Sequence, residues 1–432
     1  MGRGGVLALS CRNIRKGMWP VNDDRNEPTD PVLTVGQRIK YLRERRGMTQ
    51  EVLAGLVGKS VSWLKSVEAG RLQQNPRLPI LLQLAEALRV RDLSALTGDQ
   101  SMPVRMFTGP GHPALDAVRQ AINTTPLRPS GTVQPLGHLR GRLDAAWRAR
   151  HASADHRTAL GRLLPDLVRD VQLAAVMYRG EDRRRANALL AETYGLAQMF
   201  LAYQPAQDLL WRVADRALTA AQEADDPLAL TCAVWFLGQA HRDVGDFEAA
   251  WAINKQGMAA VQPYMDDPGV DLLAMWGALH FELAFTAARV GNAGEAWSYW
   301  EKAGRVADRL PGDYYQPWTS FSRVIMDAHA VTLAVELSQS GESARQAERA
   351  ALAAIPSQPR RGRHLIEIAR AHRLQRDHDA VLGTLELARQ AAPETIRYNG
   401  YARRMLVELV ETGPAPLRPR ARELADKIAL MV

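Results

Sequence analysis

The tripeptide Gly58-Lys59-Ser60 has the residue types that hold phosphate at the end of a nucleotide-binding loop. That loop also needs a glycine five residues before Gly58, where this chain has Leu53, and it must follow a β-strand. The residues before the tripeptide are instead spaced as in an amphipathic helix. We therefore expect no nucleotide site at this position.

Histidines are the other candidates for chemistry. His241-Arg242-Asp243 is similar to the catalytic loop of a protein kinase, but the sequence has neither the glycine-rich loop nor the metal-binding triplet of kinases. His364, His372 and His378 are eight and six residues apart, whereas two histidines that bind a metal from one helix face are four apart. We expect no catalysis, no metal and no cofactor.

A third set of residues, around Gly58, has the types and spacing of a surface that contacts nucleic acid. Apolar spacing predicts two short helices joined at Gly58, the first capped by Thr49 and the second by Ser60. Burial of Leu64 and Val67 would leave one face of the second helix pointing outward. That face consists of Val61, Ser62, Lys65 and Ser66. An outward face of this kind fits the major groove of DNA.

Positive charge is concentrated in the same part of the chain. The formal net charge is +8. Residues 34–98 contain eleven Lys and Arg against five Asp and Glu, whereas the residues from 99 onward are nearly balanced. A local excess of this kind is typical of a surface that binds phosphate. An ordinary solvated surface would explain the charge alone, but not together with the two helices.

Flanking helices would complete a small bundle around this pair. One, from Val35 to Arg46, would contribute Ile39 and Leu42 to the core. Another, from Pro79 to Leu88, would bury Leu81, Leu84, Ala85 and Leu88.

Residues 34–98 resemble the Xre family of transcriptional regulators, which includes the phage repressors. The resemblance rests on Thr49-Gln50, Leu53-Ala54, Gly58, Ser60, Ser62, Glu68-x-Gly70 and Leu84-Ala85-x-Ala87-Leu88. It implies a five-helix, repressor-type helix-turn-helix domain that binds double-stranded DNA. Because one short helix reads little sequence alone, we also expect a homodimer.

By position, the resemblance implies DNA contacts from Gln50, Ser60, Val61, Ser62, Trp63, Lys65, Ser66 and Arg71. Gln50 would anchor a backbone phosphate, while Val61, Ser62 and Ser66 would approach base edges. Trp63 is bulky where the family usually has a small polar residue, and it would contact either a thymine methyl group or the loop that follows. Arg43 and Glu68 occupy positions that form an internal ion pair in several members of the family.

The rest of the chain divides by texture. Residues 1–33 mix Gly, Arg, Asp and Pro without periodicity and predict a disordered leader, within which Met18 is an alternative translation start. Residues 99–138 are rich in Pro and Gly and predict a linker with one short helix, Ala114 to Ile122. From 139 to 432, apolar residues recur every three to four positions and no segment alternates as a strand does. We therefore expect an all-α protein in which residues 139–432 form a helical repeat domain.

Helix pairs in the repeat domain resemble the tetratricopeptide repeat. Its pattern is a large and a small residue in the first helix, a turn glycine about seven residues later, and a small residue in the second helix. The pattern is found at Leu237-Gly238 with Gly245, Leu283-Ala284 with Gly291, Leu333-Ala334 with Gly341, and in weaker form at Ile368-Ala369 and Tyr194-Gly195. The spacing of these units is uneven, so an irregular helical bundle is the alternative to an α-solenoid.

The first helix of each pair lines the concave face of such a solenoid. This predicts a groove lined by Met199, Trp235, Gln239, Arg242, Phe281, Phe285, Arg370 and Arg373. Aromatic walls with scattered arginines suit a peptide or an acidic small molecule. The same residues also suit ordinary packing between helices.

Cysteine content and hydropathy indicate the cellular compartment in which the protein is expected. With only Cys11 and Cys232, the chain has neither a disulfide framework nor a cysteine-based zinc site. The most apolar window, Leu228 to Leu237, is shorter than a membrane span. We expect a cytoplasmic protein without a membrane partner.

These features predict a sequence-specific DNA-binding transcriptional regulator. Its helical repeat domain would mediate dimerisation and sense a peptide, a small molecule or a partner protein. The alternative is a DNA-tethered scaffold whose helical half recruits another protein without any small ligand.

Overall fold

The computed structural model describes residues 33–71, 78–90, 92–98 and 111–430. Within these ranges the regular secondary structure consists of α-helices and three short 3-10 helices, without a β-strand, so the predicted all-α class is confirmed. The predicted leader, apart from Leu33, lies outside the described residues, as do residues 99–110 of the predicted linker.

The first five helices form the N-terminal bundle: α1 (Val35–Arg45), α2 (Gln50–Leu56), α3 (Val61–Glu68), α4 (Leu78–Ala87) and α5 (Ser94–Thr97). The side chains of Thr34, Thr49 and Ser60 cap α1, α2 and α3 by accepting a hydrogen bond from the first turn. The predicted core is buried, with Ile39 and Leu64 fully inaccessible.

Two glycines set the geometry of this bundle. Gly58, with φ +64°, adopts the left-handed conformation that turns the chain between α2 and α3. Gly36 on α1 faces the backbone carbonyl of Val67 on α3 so closely that a β-carbon there would overlap it. The contact between α1 and α3 therefore depends on the missing side chain of Gly36.

The C-terminal domain continues with sixteen helices in the described residues. They are α6 (Leu115–Asn123), α7 (Leu136–Ala152), α8 (His156–Met177), α9 (Gly180–Leu201), α10 (Gln207–Ala224), α11 (Pro227–Asp243), α12 (Phe247–Val261), α13 (Val270–Arg289), α14 (Ala293–Ala307), α15 (Met326–Glu336), α16 (Ser340–Arg349), α17 (Gln358–Leu374), α18 (His378–Ala391), α19 (Pro393–Tyr398), α20 (Gly400–Thr412) and α21 (Arg418–Lys427). Successive helices pack in antiparallel pairs from α7/α8 to α17/α18, and α20/α21 form a last pair. The domain is thus an α-solenoid of the tetratricopeptide-like kind.

The helix pairs share a two-residue turn. Gly245 and Gly291, with φ +73° and +81°, are left-handed as predicted. Asp246 and Asn292 follow them and cap the next helix with their side chains. The third pair with this turn uses Arg376-Asp377, with φ +62° at the arginine.

The predicted turn glycine Gly341 is wrong. Gly341 lies inside the first turn of α16, and the left-handed residue after α15 is Ser338, with φ +56°. Helix α15 therefore ends three residues earlier than the Leu333-Ala334 pattern indicated, and Ser338 takes the left-handed position that glycine usually takes.

Helix α6 lies within the predicted linker but is not a separate segment. Val118, Ala121 and Ile122 are buried in the core that runs through the first helix pairs. The packed part of the helical domain therefore begins well before residue 139.

The two ends of the solenoid meet. Glu394, at the start of α19, accepts hydrogen bonds at the N-terminus of α8 from the backbone nitrogen of Arg157 at 2.5 Å and the hydroxyl of Thr158 at 2.6 Å. His151, at the end of α7, bonds to the hydroxyl of Ser357 and the carbonyl oxygen of Pro317 at 2.9 and 2.8 Å. These contacts therefore bring the first and last helices of the superhelix together around its concave face.

One helix, α13, passes a length and hydropathy test for a membrane span. Its apolar window is 67% buried inside the protein. This is the burial expected of a core helix.

Candidate DNA interface and ligand cavity

The outward face of α3 is accessible in the described structure. Ser62 and Lys65 are exposed, and Val61 and Ser66 are half-buried. Trp63 is also half-buried and packs against the core of the bundle. The short polar residues therefore form the most accessible part of the predicted DNA interface.

Ser60 and Arg71 flank this face. The hydroxyl of Ser60 accepts a hydrogen bond from the backbone nitrogen of Trp63 at 3.1 Å, so it fixes the first turn of α3. Arg71 is exposed just beyond the end of α3. The rest of the loop that follows, residues 72–77, lies outside the described residues.

A buried network holds α1, α2 and α3 together. Nε of Arg43 donates to Oε1 of Glu68 at 2.6 Å, and Nη2 donates to Oε2 at 3.0 Å. The Gln50 amide donates to Oε2 of the same carboxylate at 2.8 Å, and Nη1 of Arg43 donates to the carbonyl oxygen of Met48. The hydrogen bond to Glu68 is the main reason that the pKa of Arg43 is raised. Gln50 is thus held at the start of α2, where a phosphate anchor is predicted.

The bundle docks on the last helices of the solenoid. Arg404 on α20 forms an ion pair with Glu86 on α4 at 2.7 Å. The Arg89 guanidinium lies beside Gly245 in the turn between α11 and α12. The N-terminal bundle therefore contacts the solenoid through α4 and the residues that follow it.

Arg373, which was predicted for the groove, lies outside the lining of the cavity described below. Its guanidinium lies beside Gly58 in the turn between α2 and α3, and its Nε donates to Glu408 at 2.8 Å. Arg373 is close to the C-terminal end of α17, where the bundle covers the solenoid, so it contacts the bundle instead of the interior.

A cavity of about 1460 Å³ occupies the enclosed face of the solenoid. The other residues predicted for the groove all line it: Met199, Trp235, Gln239, Arg242, Phe281, Phe285 and Arg370. At one end it reaches α2 and α4 of the N-terminal bundle, at Val52, Leu56 and Leu82. The cavity therefore touches both halves of the molecule.

Part of the cavity wall is neutralised by ion pairs. Arg242 pairs with Glu282, and Arg370 pairs with Glu336 and Glu367 at 2.7 Å each. Burial opposes ionisation of Glu336, yet the charges of Arg370 and Arg289 lower its pKa to about 2. These charges balance one another within the wall.

Aromatic rings form a second part of the wall. The ring of Phe281 stacks on His329 with a centroid distance of 3.6 Å, and His329 lies 5.7 Å from His364. The Arg242 guanidinium covers Phe285 at 4.3 Å. Trp235 is almost fully buried and also lines the cavity.

Sequence reasoning missed a third part of the wall, on α7, α15 and α17. Arg150, His329, Arg360 and His364 all line the cavity. The repeat pattern in the sequence begins at Tyr194-Gly195, so it assigned no groove residue to α7. A large basic residue at an otherwise apolar position, as Arg150 is, was the available signal.

The enzyme-like motifs occupy structural positions. Gly58-Lys59-Ser60 forms the turn before α3, and His241-Arg242-Asp243 ends α11. His364 and His372 lie on α17, and His378 starts α18. Among the described residues no group of three His, Cys, Asp or Glu is arranged to hold a metal ion.

Comparison with known proteins concerns mainly the N-terminal bundle. Residues 34–96 match a helix-turn-helix domain family. Over 70 residues the chain is 40% identical to the immunity repressor of Bacillus phage phi105. The matched segment covers 16% of this chain and 46% of the repressor. Over 69 residues it is 36% identical to the uncharacterised HTH-type transcriptional regulator y4dJ of Sinorhizobium fredii, and this covers 87% of that protein. The chain belongs to the helix-turn-helix transcriptional regulators.

Solved structures also match this regulator over more than half of its length. BtubC from P. vanneervenii covers 59% of the chain with 14% identity and a TM-score of 0.35. ComR from S. thermophilus, determined with DNA and its signalling peptide, covers 64% with 15% identity and a TM-score of 0.24. The regulator spans about half the length of the phage repressor that it resembles, and its helical domain lies outside that match.

Proposed function

We propose that this regulator binds a specific double-stranded DNA sequence through α3 and that its helical domain senses a ligand in the enclosed cavity. The observation that carries the proposal is the accessible face of α3, with Ser62 and Lys65 exposed, on a bundle locked by Arg43 and Glu68. This geometry suits insertion into the major groove. Short side chains lack the reach for paired hydrogen bonds, so each base contact discriminates by about 1 kcal/mol.

The cavity supports a link between ligand and DNA. It borders α2 and α4, while Glu86 on α4 is paired with Arg404 of the solenoid. A ligand that fits the cavity better in one docking position of the bundle than in another would shift the balance between those positions. Because the regulator acts as a homodimer in this proposal, such a shift changes the spacing of two α3 helices on DNA.

The cavity of about 1460 Å³ on the concave face favours a small ligand over the alternative of a scaffold that only recruits another protein. In this proposal the protein is located in the cytoplasm and catalyses no reaction. A mass-spectrometric search for a co-purifying peptide or metabolite separates the two functions. A bound molecule supports ligand sensing, and reproducible recovery of a protein partner alone supports the scaffold.

Substitution of Lys65 tests the DNA interface. Lys65→Ala removes one positive charge from the outward face, so we expect lower DNA affinity and a salt dependence whose slope falls by about one. The measurement is a gel-shift titration at several salt concentrations on DNA selected from a random library. Lys427→Ala, at an exposed lysine of α21, is the matched control and should leave both quantities unchanged. Unchanged affinity and slope in Lys65→Ala would refute the placement of α3 in the groove.

The role of the helical domain in dimerisation is tested by truncation after residue 98. We expect the fragment 1–98 to be monomeric by sedimentation and to bind DNA more weakly than the full chain. A dimeric fragment with full operator affinity would contradict this part of the proposal.

A further inference from the structure

Four basic side chains meet in one part of the cavity wall without an acidic partner. Arg150 comes from α7, His329 from α15, and Arg360 and His364 from α17. Across the residues that the structure describes, no carboxylate lies within ion-pair distance of Arg150 or Arg360, whereas the neighbouring Arg363 and Arg370 on α17 both pair with Glu367. We call these four side chains the cationic cluster, because its two arginines carry positive charge without an acidic partner beside arginines that are paired.

Most of the cluster is deeply buried and incompletely hydrogen-bonded. His364, Arg150 and His329 are 4%, 6% and 6% exposed. Neither ring nitrogen of His364 has a hydrogen-bond partner, and the same holds for Nε of Arg150 and Nδ1 of His329. Buried polar groups in proteins nearly always have partners, so four unpartnered atoms on three side chains of one cavity wall call for an explanation.

The hydrogen bonds that the arginines do form leave their charge in place. Arg150 reaches Nδ1 of His151 and the sulfur of Met199, both at 3.3 Å. Arg360 donates to the hydroxyl of Ser320 at 3.0 Å and the carbonyl oxygen of Thr319 at 2.9 Å. All four acceptors are neutral, since His151 lies in surroundings that lower its pKa to about 3.

The cluster is electrostatically unfavourable when empty. Burial, reinforced by the charge of Arg360, lowers the pKa of Arg150 to about 9. Burial also holds the pKa of His329 and of His364 well below its usual value, and Arg360 lowers each further. Like charges without a counter-charge destabilise the fold, so their persistence calls for a function.

We propose that this cluster binds the oxyanion group, a carboxylate or a phosphate, of an organic ligand that fills the cavity. Arg150 and Arg360 supply the charge and charge-assisted hydrogen bonds, and His364 supplies a ring nitrogen. The cavity is larger than the 300–1,000 Å³ of ordinary small-molecule sites, so an organic body fits beyond the oxyanion, along Phe281 and toward the DNA-binding bundle. This inference rests on the proposed ligand-sensing function and specifies the chemistry of the ligand.

The test is thermal unfolding of the full chain with simple oxyanions. Inorganic phosphate and acetate are compared with chloride at equal ionic strength. At least one oxyanion should raise the melting temperature of the wild type above the chloride reference by mass action. The double variant Arg150→Gln with Arg360→Gln should lose this shift, and Arg148→Gln, at an exposed arginine on the same helix, should retain it. No shift in the wild type, or an equal shift in all three proteins, overturns the inference.

The melting temperature without added anion distinguishes a binding role from a structural one. Because the double variant removes two charges that repel each other, it should melt no lower than the wild type. A much lower melting temperature would mean that the two arginines stabilise the fold, and would count against a binding site.

Two further comparisons identify the source of the oxyanion and separate this inference from the proposed function. Phenyl phosphate, benzoate, and a short acetylated peptide as free acid or amide are titrated by calorimetry. Equal affinity for the peptide acid and amide, together with no binding of the two aromatic anions, overturns the inference. DNA titration of the wild type is the separate readout: absent DNA binding refutes the proposed function, whereas absent anion binding with DNA binding intact refutes only the inference.

Discussion

Buried arginines are treated oppositely in the two halves of this regulator. In the N-terminal bundle, Arg43 is held by two hydrogen bonds to Glu68 and a third to a backbone carbonyl. In the solenoid, Arg150 is equally buried but has only neutral acceptors and a free Nε. The buried arginine of the bundle is thus fully paired, whereas Arg150 in the solenoid has no carboxylate partner. In our proposal, the difference separates a structural charge from one that binds a ligand.

The largest expected effect is the difference in stability between two arginine-to-alanine variants, one in each half. Arg43→Ala leaves the Glu68 carboxylate buried without its partner and should destabilise the bundle by about 3–5 kcal/mol. Arg150→Ala removes an unmatched charge and should cost far less. Hydrogen exchange of peptides from α1 to α3, followed by mass spectrometry, measures the loss of protection locally. Similar losses in each variant's own domain would remove the distinction between the two arginines.

The second largest expected effect is a difference between the two halves in their stability at acidic pH. The described residues up to 98 contain no histidine, whereas His156, His329 and His364 are buried in the solenoid, where burial holds their pKa values well below normal. The unfolded chain takes up protons near pH 6.5 that these folded side chains refuse, so stability is lost as pH falls below that value.

The loss is about 1 kcal/mol for each of these histidines between pH 7 and 5.5. Glu336, with its pKa lowered to about 2, contributes a loss only at lower pH. Thermal unfolding, monitored by hydrogen exchange, should therefore show that the solenoid loses stability between pH 7 and about pH 5.5 and that the bundle does not. An equal loss of stability in both halves would contradict the attribution of the acid sensitivity to the buried histidines of the solenoid.

A smaller effect compares the packed and the cavity-facing sides of the bundle. Gly36→Ala pushes a β-carbon into the carbonyl of Val67 and should cost about 1–3 kcal/mol. Gly55→Ala, on the side of α2 that borders the cavity, meets no atom within 4 Å and should stabilise the helix by up to about 1 kcal/mol. Urea unfolding of the two variants measures the difference, and a loss of stability in Gly55→Ala would show that the cavity side is also tightly packed.

Local sequence features predicted most of the bundle and part of the solenoid. Thr49, Ser60 and Gly58 determine the helix-turn-helix through caps and a turn, which depend on neighbours in the chain. The two turn glycines Gly245 and Gly291 are predictable for the same reason. The prediction of a turn at Gly341 was wrong because Ser338 adopts the left-handed conformation that glycine usually takes.

The cationic cluster could not be predicted because it depends on long-range geometry. Arg150 and Arg360 are separated by more than two hundred residues, and they approach each other only because the solenoid closes. Arg373 shows the reverse case, since its helical position is correct for the groove but the docked bundle occupies that end of α17. Periodicity assigns a face to a side chain, but it does not say what covers that face.

The closure of the solenoid also sets an order of events during synthesis. Glu394 is added 236 residues after Thr158, whose helix it caps. Domains fold as they leave the ribosome, N-terminal parts first, so the DNA-binding bundle can form while the first helices of the solenoid still lack their final partner. A chain released early would carry a folded DNA-binding bundle on an open array of helices. Full-length translation is therefore required before the cavity, and with it any control by a ligand, can exist.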